Sequence, residues 1–284
     1  MECFFTVDLE DYKHSTTKDM GLRPVSDVCQ TRRGVEQIVS AVAKVGGADS
    51  LTFFTTGQVA RDQPTLVAEL AAAGHEIACH TLEHDNVEDL GRERFEADLG
   101  AATTILEQSA GQPIVGFRAP NFAISNTLPW FYDVLVQRGF RYDSSLVAAS
   151  GRSGQLPYDI VSADGGTLYE FPIYRRRIAG DWAIRVGGTY FRLLPVRVIL
   201  RLLHEAAERG YTPVIYLHPA DIDGRLEAIG LSEMEGLGWP ARFKWILHQR
   251  LWTTSTESVV DKLTTVLGEF THRGPLQAAL PHQH

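Results

Sequence analysis

Short apolar runs rich in β-branched or aromatic residues alternate along the chain with longer stretches whose apolar residues recur at helical spacing. CFFTV precedes GVEQIVSAVAKVG, SLTFFTT precedes VARDQPTLVAELAAAG, HEIACH precedes RERFEADLGAATTILEQSAG, and PIVGFRA precedes NTLPWFYDVLVQRG. Much later LLPVRVILRLLHEAAERG leads into TPVIYLH. Strand and helix signals in alternation predict an α/β fold, a parallel sheet with helices outside, wound either as an open sheet or as a barrel. Gly74, Gly111, Gly139 and Gly210 each follow an apolar periodic run, where helices stop. In PTLVAELAAAG, Leu66, Val67, Leu70 and Ala71 form one apolar stripe with Glu69 off it, a core face.

Residues 150–190 are poorer in helix signal and read as loops and short strands. Past residue 224 the pattern thins, then closes on a helix whose apolar face holds Val259, Leu263 and Leu267. No repeat and no Pro/Gly/Ser linker divides the chain, so the expected organisation is a main domain over residues 1–224 with an extension, residues 225–284, packed on it.

Composition narrows the classes. A chain of 284 residues, 44% hydrophobic and 22% charged, has enough apolar material for a sizeable core. A formal charge of -8 argues against nucleic acid as a partner, since phosphate binding needs a clustered basic face. The densest basic run, YRRRIAGDWAIR, is short; it reads as a solvated edge or as a grip on an anionic substrate group. The apolar start of MECFFTVDLEDY meets acids too soon for a secretory signal, and no stretch reaches the ~20 apolar residues of a transmembrane segment. Three widely spaced cysteines suit a reducing compartment, so a cytoplasmic location is expected.

Candidate chemistry gathers at the carboxyl ends of the expected strands, where loops of parallel α/β folds converge. Asp8, Glu10 and Asp11 follow the first strand, His80 the third, Arg118 the fourth, Asp143 follows GFRY, and His218 ends VIYL. In ACHTLEHDN, His80 and His84 stand four apart, which on a helical turn would put both imidazoles on one face. Two imidazoles and a carboxylate suit a cation with open positions, a second carboxylate can take a proton from water, and a further histidine can protonate a leaving nitrogen. Cys79, by strand alternation, points away from His80.

TVDLEDY, FFTTGQVARDQPTLVAELAAAGHEIACHTLEH, GFRAPNF, RYDSS and YLHP, in this order from residue 4 to about residue 223, resemble the motifs of the polysaccharide deacetylase family, the NodB-homology domain of carbohydrate esterase family 4. LYEFPI, VGGTYFRLLP and YLHPADID further resemble its branch associated with exopolysaccharide export. The resemblance implies a distorted (β/α) barrel of about seven parallel strands with outer helices. It implies removal of an N-acetyl group from an amino sugar of a glycan or glycan precursor, releasing acetate, with an association with a polysaccharide assembly system.

Residue by residue, it implies Asp8 as catalytic base, His80 and His84 as metal ligands, and Arg118 as the group orienting the base. Asp143 corresponds to the carboxylate that tunes the acid, His218 to the general acid, and Leu217 to the lining of the acetyl-methyl pocket. Asn121 stands where many members carry tyrosine, at the position whose backbone N–H serves as oxyanion donor. The motif DLED separates two acids that the family places together, so the third ligand is Glu10 or Asp11, with strand alternation favouring Glu10. The implied cofactor is a divalent metal, Zn²⁺ first, with Co²⁺ or Ni²⁺ as substitutes. Trp130, Trp182, Tyr190 and Phe191 are candidates for sugar contacts. Two other readings stay open: a metal-dependent hydrolase of a non-sugar amide or cyclic ureide, and a catalytically silent glycan-binding protein.

Overall fold

Strand β1 (Glu2–Leu9) sets the frame, because its side chains alternate between two different cores. Cys3, Phe5, Val7 and Leu9 join the large apolar layer beneath the helices, whereas Phe4 belongs to a second cluster inside the curve of the sheet. The computed structural model describes residues 1–45, 49–124, 128–149, 158–161, 165–179 and 182–281.

The strands that follow are β2 (Thr52–Thr55), β3 (Glu76–Cys79), β4 (Gly116–Phe117), β5 (Tyr142–Asp143), β6 (Val147–Ala149), β7 (Tyr158–Val161) and β8 (Thr167–Glu170). After them come β9 (Ile173–Ala179), β10 (Trp182–Arg185), β11 (Val214–Leu217) and β12 (Thr271–His272). Seven strands run parallel in the order β11-β1-β2-β3-β4-β5-β8, forming the distorted half-barrel expected from the motifs. β7 lies antiparallel on the β8 edge, β12 pairs with β1, and β10-β9-β6 make a separate small sheet.

Around the sheet lie α1 (Tyr12–Asp19), α2 (Val28–Val45), α3 (Gly57–Asp62), α4 (Pro64–Ala72), α5 (Val87–Ala110) and α6 (Pro129–Gln137). The later helices are α7 (Gly188–Leu193), α8 (Val196–Glu208), α9 (Pro219–Ile222), α10 (Trp239–Thr253) and α11 (Val259–Glu269). The stripe expected in α4 is present: Leu66, Val67 and Leu70 are buried and Ala71 packs against them, while Glu69 is exposed.

The floor of the half-barrel is apolar and aromatic, with Phe4, Phe54, Tyr142 and Phe171 packed edge to face. Leu276 and Leu280 from the C-terminal residues close it below. His272 on β12 accepts a hydrogen bond from the Phe5 N–H and donates to the Ser50 carbonyl, so the chain end is tied into the first strand. α11 buries Val259, Leu263, Val266 and Leu267 in the helix-side core, the first three of its positions being spaced for one face.

Candidate active site

Asp8 points into the half-barrel near the carboxyl end of β1, and Arg118, one residue past β4, meets it from across the sheet. An Arg118 Nη1 proton is donated to Asp8 Oδ1 at 2.6 Å, and both side chains are almost wholly buried. The guanidinium is fixed on every side: it donates to Thr6 Oγ1, to Ser144 Oγ and to the Ser144 carbonyl, and it lies 3.9 Å from the Phe54 ring centroid. Burial alone would push the Asp8 carboxyl up. The Arg118 charge, with smaller help from His80 and His218, reverses this and holds it below the usual carboxylate range. The result is a desolvated yet ionised carboxylate.

His80 follows β3 and is buried; its Nδ1–H donates to the Arg118 carbonyl at 2.7 Å. Burial depresses its pKa to about 4, so the ring is neutral and its Nε2 keeps a lone pair. His84 approaches it with ring centroids 5.1 Å apart, but not through a helical turn. Thr81 and His84 both have left-handed φ, 63° and 60°, and the segment is a loop that ends where α5 begins. Side chains hold this loop instead of helical hydrogen bonds. Glu83 pairs with His14 and Arg61, Lys18 reaches Asp85 and the Glu83 carbonyl, and Asp98 accepts from the Leu82 N–H.

Glu10 and Asp11 separate cleanly. Glu10 Oε2 lies 3.3 Å from His84 Nε2 and accepts from Ser15 Oγ, on the cavity wall. Asp11 instead caps α1, accepting from the His14 and Asp27 N–H groups and from Thr31 Oγ1.

His218 starts α9, and its Nδ1–H donates to Asp221 Oδ2 at 2.7 Å, while Asp221 also accepts the His218 backbone N–H. The carboxylate on this histidine is therefore Asp221 and not Asp143, as the motif resemblance had implied. A His-Pro-x-Asp start places the acid at the third helical position, one turn above the cap, where it reaches back. Asp143 is committed elsewhere: it accepts from Ser145 Oγ at 2.5 Å and sits beside Glu170. Ser145 in turn accepts from the Ala119 N–H, so this strand end braces the segment that carries Arg118. Burial and the adjacent Asp143 carboxylate raise Glu170, which keeps a proton between the two acids.

Behind Asp221 stands Arg192, 1% exposed, donating Nε–H to Asp221 Oδ1 at 2.6 Å and Nη1–H to the Leu251 and Thr254 carbonyls. Burial works against charge on His218, but Asp221, with Glu10 and Asp8 beyond, overrides it and raises its pKa to about 9. Its Nε2 faces Glu10 Oε1 at 3.6 Å and Asp8 Oδ2 at 3.9 Å. Gly187 and Gly188 make room for this corner. A Cβ on Gly187 would fall 2.2 Å from the Tyr216 ring, and Gly188, at φ 47°, runs beside the His218 ring.

These groups surround a cavity of about 390 Å³ whose wall includes Asp8, Glu10, His80, His84, Asn121 and His218. Asn121 has φ 58°, and its side-chain amide donates to Asn86 Oδ1. Leu217 does not line the cavity; it lies in the helix-side core, because β11 alternates and turns Tyr216 inward in its place. Tyr216 and Phe122 meet at 4.8 Å on the wall. Of the aromatic candidates, Tyr190 lines the cavity, Phe191 is buried in the core, Trp130 packs on Phe95, and the Trp182 side chain lies outside the described residues. Cys79 is buried on the helix side, away from the site. The basic run forms β9 and β10, and it places Arg185 on the cavity wall with Arg175 directly opposite in register. Asp221, Arg192, Tyr216 and Trp252 went unread in the sequence; for Asp221 the helix-start spacing was the available signal.

As a donor set, His80, His84 and Glu10 suit a divalent cation in kind: two imidazoles, one with its tautomer fixed by a carbonyl, and a carboxylate beside them. They are not drawn in to bonding spacing; among the described residues no three His, Cys, Asp or Glu side chains form a closed ligand group.

Residues 31–142 match the family model described as polysaccharide deacetylase, and residues 146–273 match a domain of unknown function, DUF3473. A peptidoglycan deacetylase-like protein, FGM2, of Gibberella zeae is 32% identical over 127 residues, covering 45% of this chain and 36% of that protein. A chitooligosaccharide deacetylase of Azorhizobium caulinodans is 35% identical over 78 residues, covering 27% of this chain and 37% of its own length. The chain thus spans little more than a third of these curated relatives.

Among solved structures, a protein assigned as a polysaccharide deacetylase from Mycobacterium smegmatis superposes with a TM-score of 0.54 at 21% identity, covering 99% of this chain and 93% of that one. PuuE allantoinase gives 0.53 at 16%, over 94% and 91%. A carbohydrate esterase family 4 pseudoenzyme from Bacillus anthracis gives 0.51 at 10%, over 98% and 65%. Fold and site define a half-barrel of the NodB-homology class. Over residues 31–142 the chain resembles the polysaccharide deacetylase family, and its fold is that of the carbohydrate esterase family 4 structures.

Proposed function

We propose that this protein is a metal-dependent hydrolase that removes the N-acetyl group from an amino-sugar residue of a glycan or glycan precursor, giving acetate and a free amine. The reading rests chiefly on one observation: the ionised Asp8–Arg118 pair faces the Asp221-held His218 across a single cavity. The relatives carry the names peptidoglycan deacetylase-like protein and chitooligosaccharide deacetylase, which supports an N-acetylated glycan here.

Glu10, His80 and His84 would hold the cation, Zn²⁺ first and Co²⁺ or Ni²⁺ as substitutes. A bound cation of this kind polarises the acetamide oxygen and makes water more acidic. Asp8 takes the proton of the attacking water, and Arg118 keeps that carboxylate charged until it does so. His218, protonated at neutral pH, gives its proton to the departing nitrogen as the C–N bond breaks. The Asn121 N–H donates to the oxygen on which negative charge develops. Tyr216 and Phe122 would receive the acetyl methyl, the role first given to Leu217. Arg185 meets an anionic substituent on the sugar or its carrier. The resemblance of the later segments to the exopolysaccharide branch favours a substrate inside a polysaccharide assembly system.

The deciding experiment incubates the purified chain with N-acetylglucosamine oligomers, a nucleotide-linked N-acetylhexosamine and allantoin, and measures acetate, free amine and ureide consumption beside metal content. Acetate release that a chelator stops and Zn²⁺ restores is the expected result. Turnover of allantoin alone moves the reading to ureides. Binding of oligomers without acetate release makes the protein a silent glycan binder, and full activity without metal removes the cation from the mechanism.

A further inference from the structure

Helix α10 turns an apolar stripe to solvent. Trp239, Phe243, Leu247 and Leu251 are 72, 63, 48 and 48% exposed, and their spacing of four places them along one side of the helix. The opposite side is already occupied: Gln249 is buried and accepts the Ile229 N–H, and Trp252 packs edge to face with Tyr12. The stripe is therefore a second apolar face on a helix whose packing face is filled. Leu231, in the turn before the helix, adds another exposed apolar side chain at 48%.

The charges beside the stripe all have one sign. α10 carries Arg242, Lys244 and Arg250, with His248, and no Asp or Glu from residue 239 to 253, in a chain of formal charge -8. At helical spacing Arg242 and Arg250 fall along one border of the stripe and Lys244 and His248 along the other. Arg242 donates to the Leu237 carbonyl and lies 5.6 Å from the Trp239 ring. The acids nearest before the helix are Glu233, which pairs with Lys13, and Glu235.

We propose that α10 docks this protein on an anionic bilayer surface, lying in the interface with Trp239, Phe243, Leu247 and Leu251 among the acyl chains and Arg242, Lys244 and Arg250 at the headgroups. Charge complementarity selects this occupant. A second copy of the chain meeting the stripe about a two-fold axis would bring the same cations against one another, whereas anionic lipid satisfies both the apolar stripe and its borders. The helix rests on the bilayer and does not cross it: among the described residues no helix is long and apolar enough to span a membrane. Trp252, on the same helix, lines the catalytic cavity, so docking holds the cavity within about one helix diameter, ~10 Å, of the lipid headgroups.

The test uses the full chain and sedimentation with vesicles of phosphatidylcholine alone or mixed with phosphatidylglycerol, at low and high salt. Expected are pelleting with the anionic vesicles, weakening by salt, an at least tenfold lower partition for Phe243→Glu or Leu247→Glu, and about fivefold lower for Lys244→Gln or Arg250→Gln. Should a glutamate variant lose its fold by circular dichroism, quenching of the unaltered chain's tryptophan fluorescence by brominated lipid, lost in Trp239→Phe, carries the test. Absence of pelleting and quenching, or undiminished binding of the folded glutamate variants, overturns the proposal. So does a concentration-dependent dimer in lipid-free buffer that Phe243→Glu abolishes, which would assign the stripe to a second copy.

Discussion

Asp8 and Glu76 are both 2% exposed, both carboxylates, and both face the inside of the half-barrel, yet their pKa values move in opposite directions. Burial pushes each of them up. At the upper end, the Arg118 guanidinium 2.6 Å from Asp8 overrides burial and keeps the charge. On the floor Glu76 meets the Tyr142 hydroxyl at 2.8 Å, Thr52 Oγ1 at 2.7 Å and the Gln277 N–H at 3.2 Å, with no cation in contact among the described residues. Burial wins there and carries the Glu76 carboxyl up to about 7. Neutral donors steady a buried carboxyl, but a close guanidinium is what makes one usable as a base at neutral pH.

The largest effect should come from Asp8→Asn, which leaves the shape of the site and removes the base. Turnover should fall roughly 10²–10⁴-fold while circular dichroism shows the fold retained, and an acetate assay showing unchanged rate would take Asp8 out of that role. Arg118→Met attacks the same pair from the other side. It strands a buried charge, so urea unfolding should show a loss of about 3–5 kcal/mol, part of it recovered in the double variant with Asp8→Asn. A loss no smaller in the double variant would mean the two groups are not coupled.

Glu76 gives the converse signature. Its folded pKa lies above its unfolded value of about 4.5, so the folded state holds the extra proton. The stabilisation is complete below about pH 4.5 and is lost as pH rises through about 7, by up to about 3 kcal/mol. Glu76→Gln should flatten this slope in denaturation curves taken across that range, and an unaltered slope would place the titration elsewhere. The smallest expected change belongs to Arg185→Gln. KM should rise about fivefold for an N-acetylated substrate bearing a carboxylate or phosphate, with kcat and neutral oligomers unaffected, and an equal effect on neutral oligomers would make Arg185 a support of the Asn121 backbone.

Much of the site was legible before any coordinates. Alternation along TVDLE put Glu10 on the side of Asp8, alternation along HEIACH turned Cys79 away from His80, and the strand-end positions of Asp8, His80 and His218 set them on one rim. Three local readings went differently for local reasons. HTLEH is a loop, because Thr81 and His84 take left-handed φ and neighbouring side chains hold it. Leu217 follows the parity of β11 into the helix-side core. Asp221 takes the place beside His218 by lying one helical turn away on the same short helix, while Asp143 is spent on Ser145 and Glu170.

The sequence by itself determined the elements, the inward and outward faces of each strand, and which residue types stand at the strand ends, because periodicity is a property of neighbouring residues along one chain. It could not determine the partners. Asp8 and Arg118 are 110 positions apart, and their hydrogen bond exists only because four parallel strands align in register. The ionisation of Asp8, the raised proton affinity of Glu76 and the outward turn of the α10 stripe were likewise decided by tertiary structure. Each depends on distance and burial, which arise only when segments far apart in the chain are brought together.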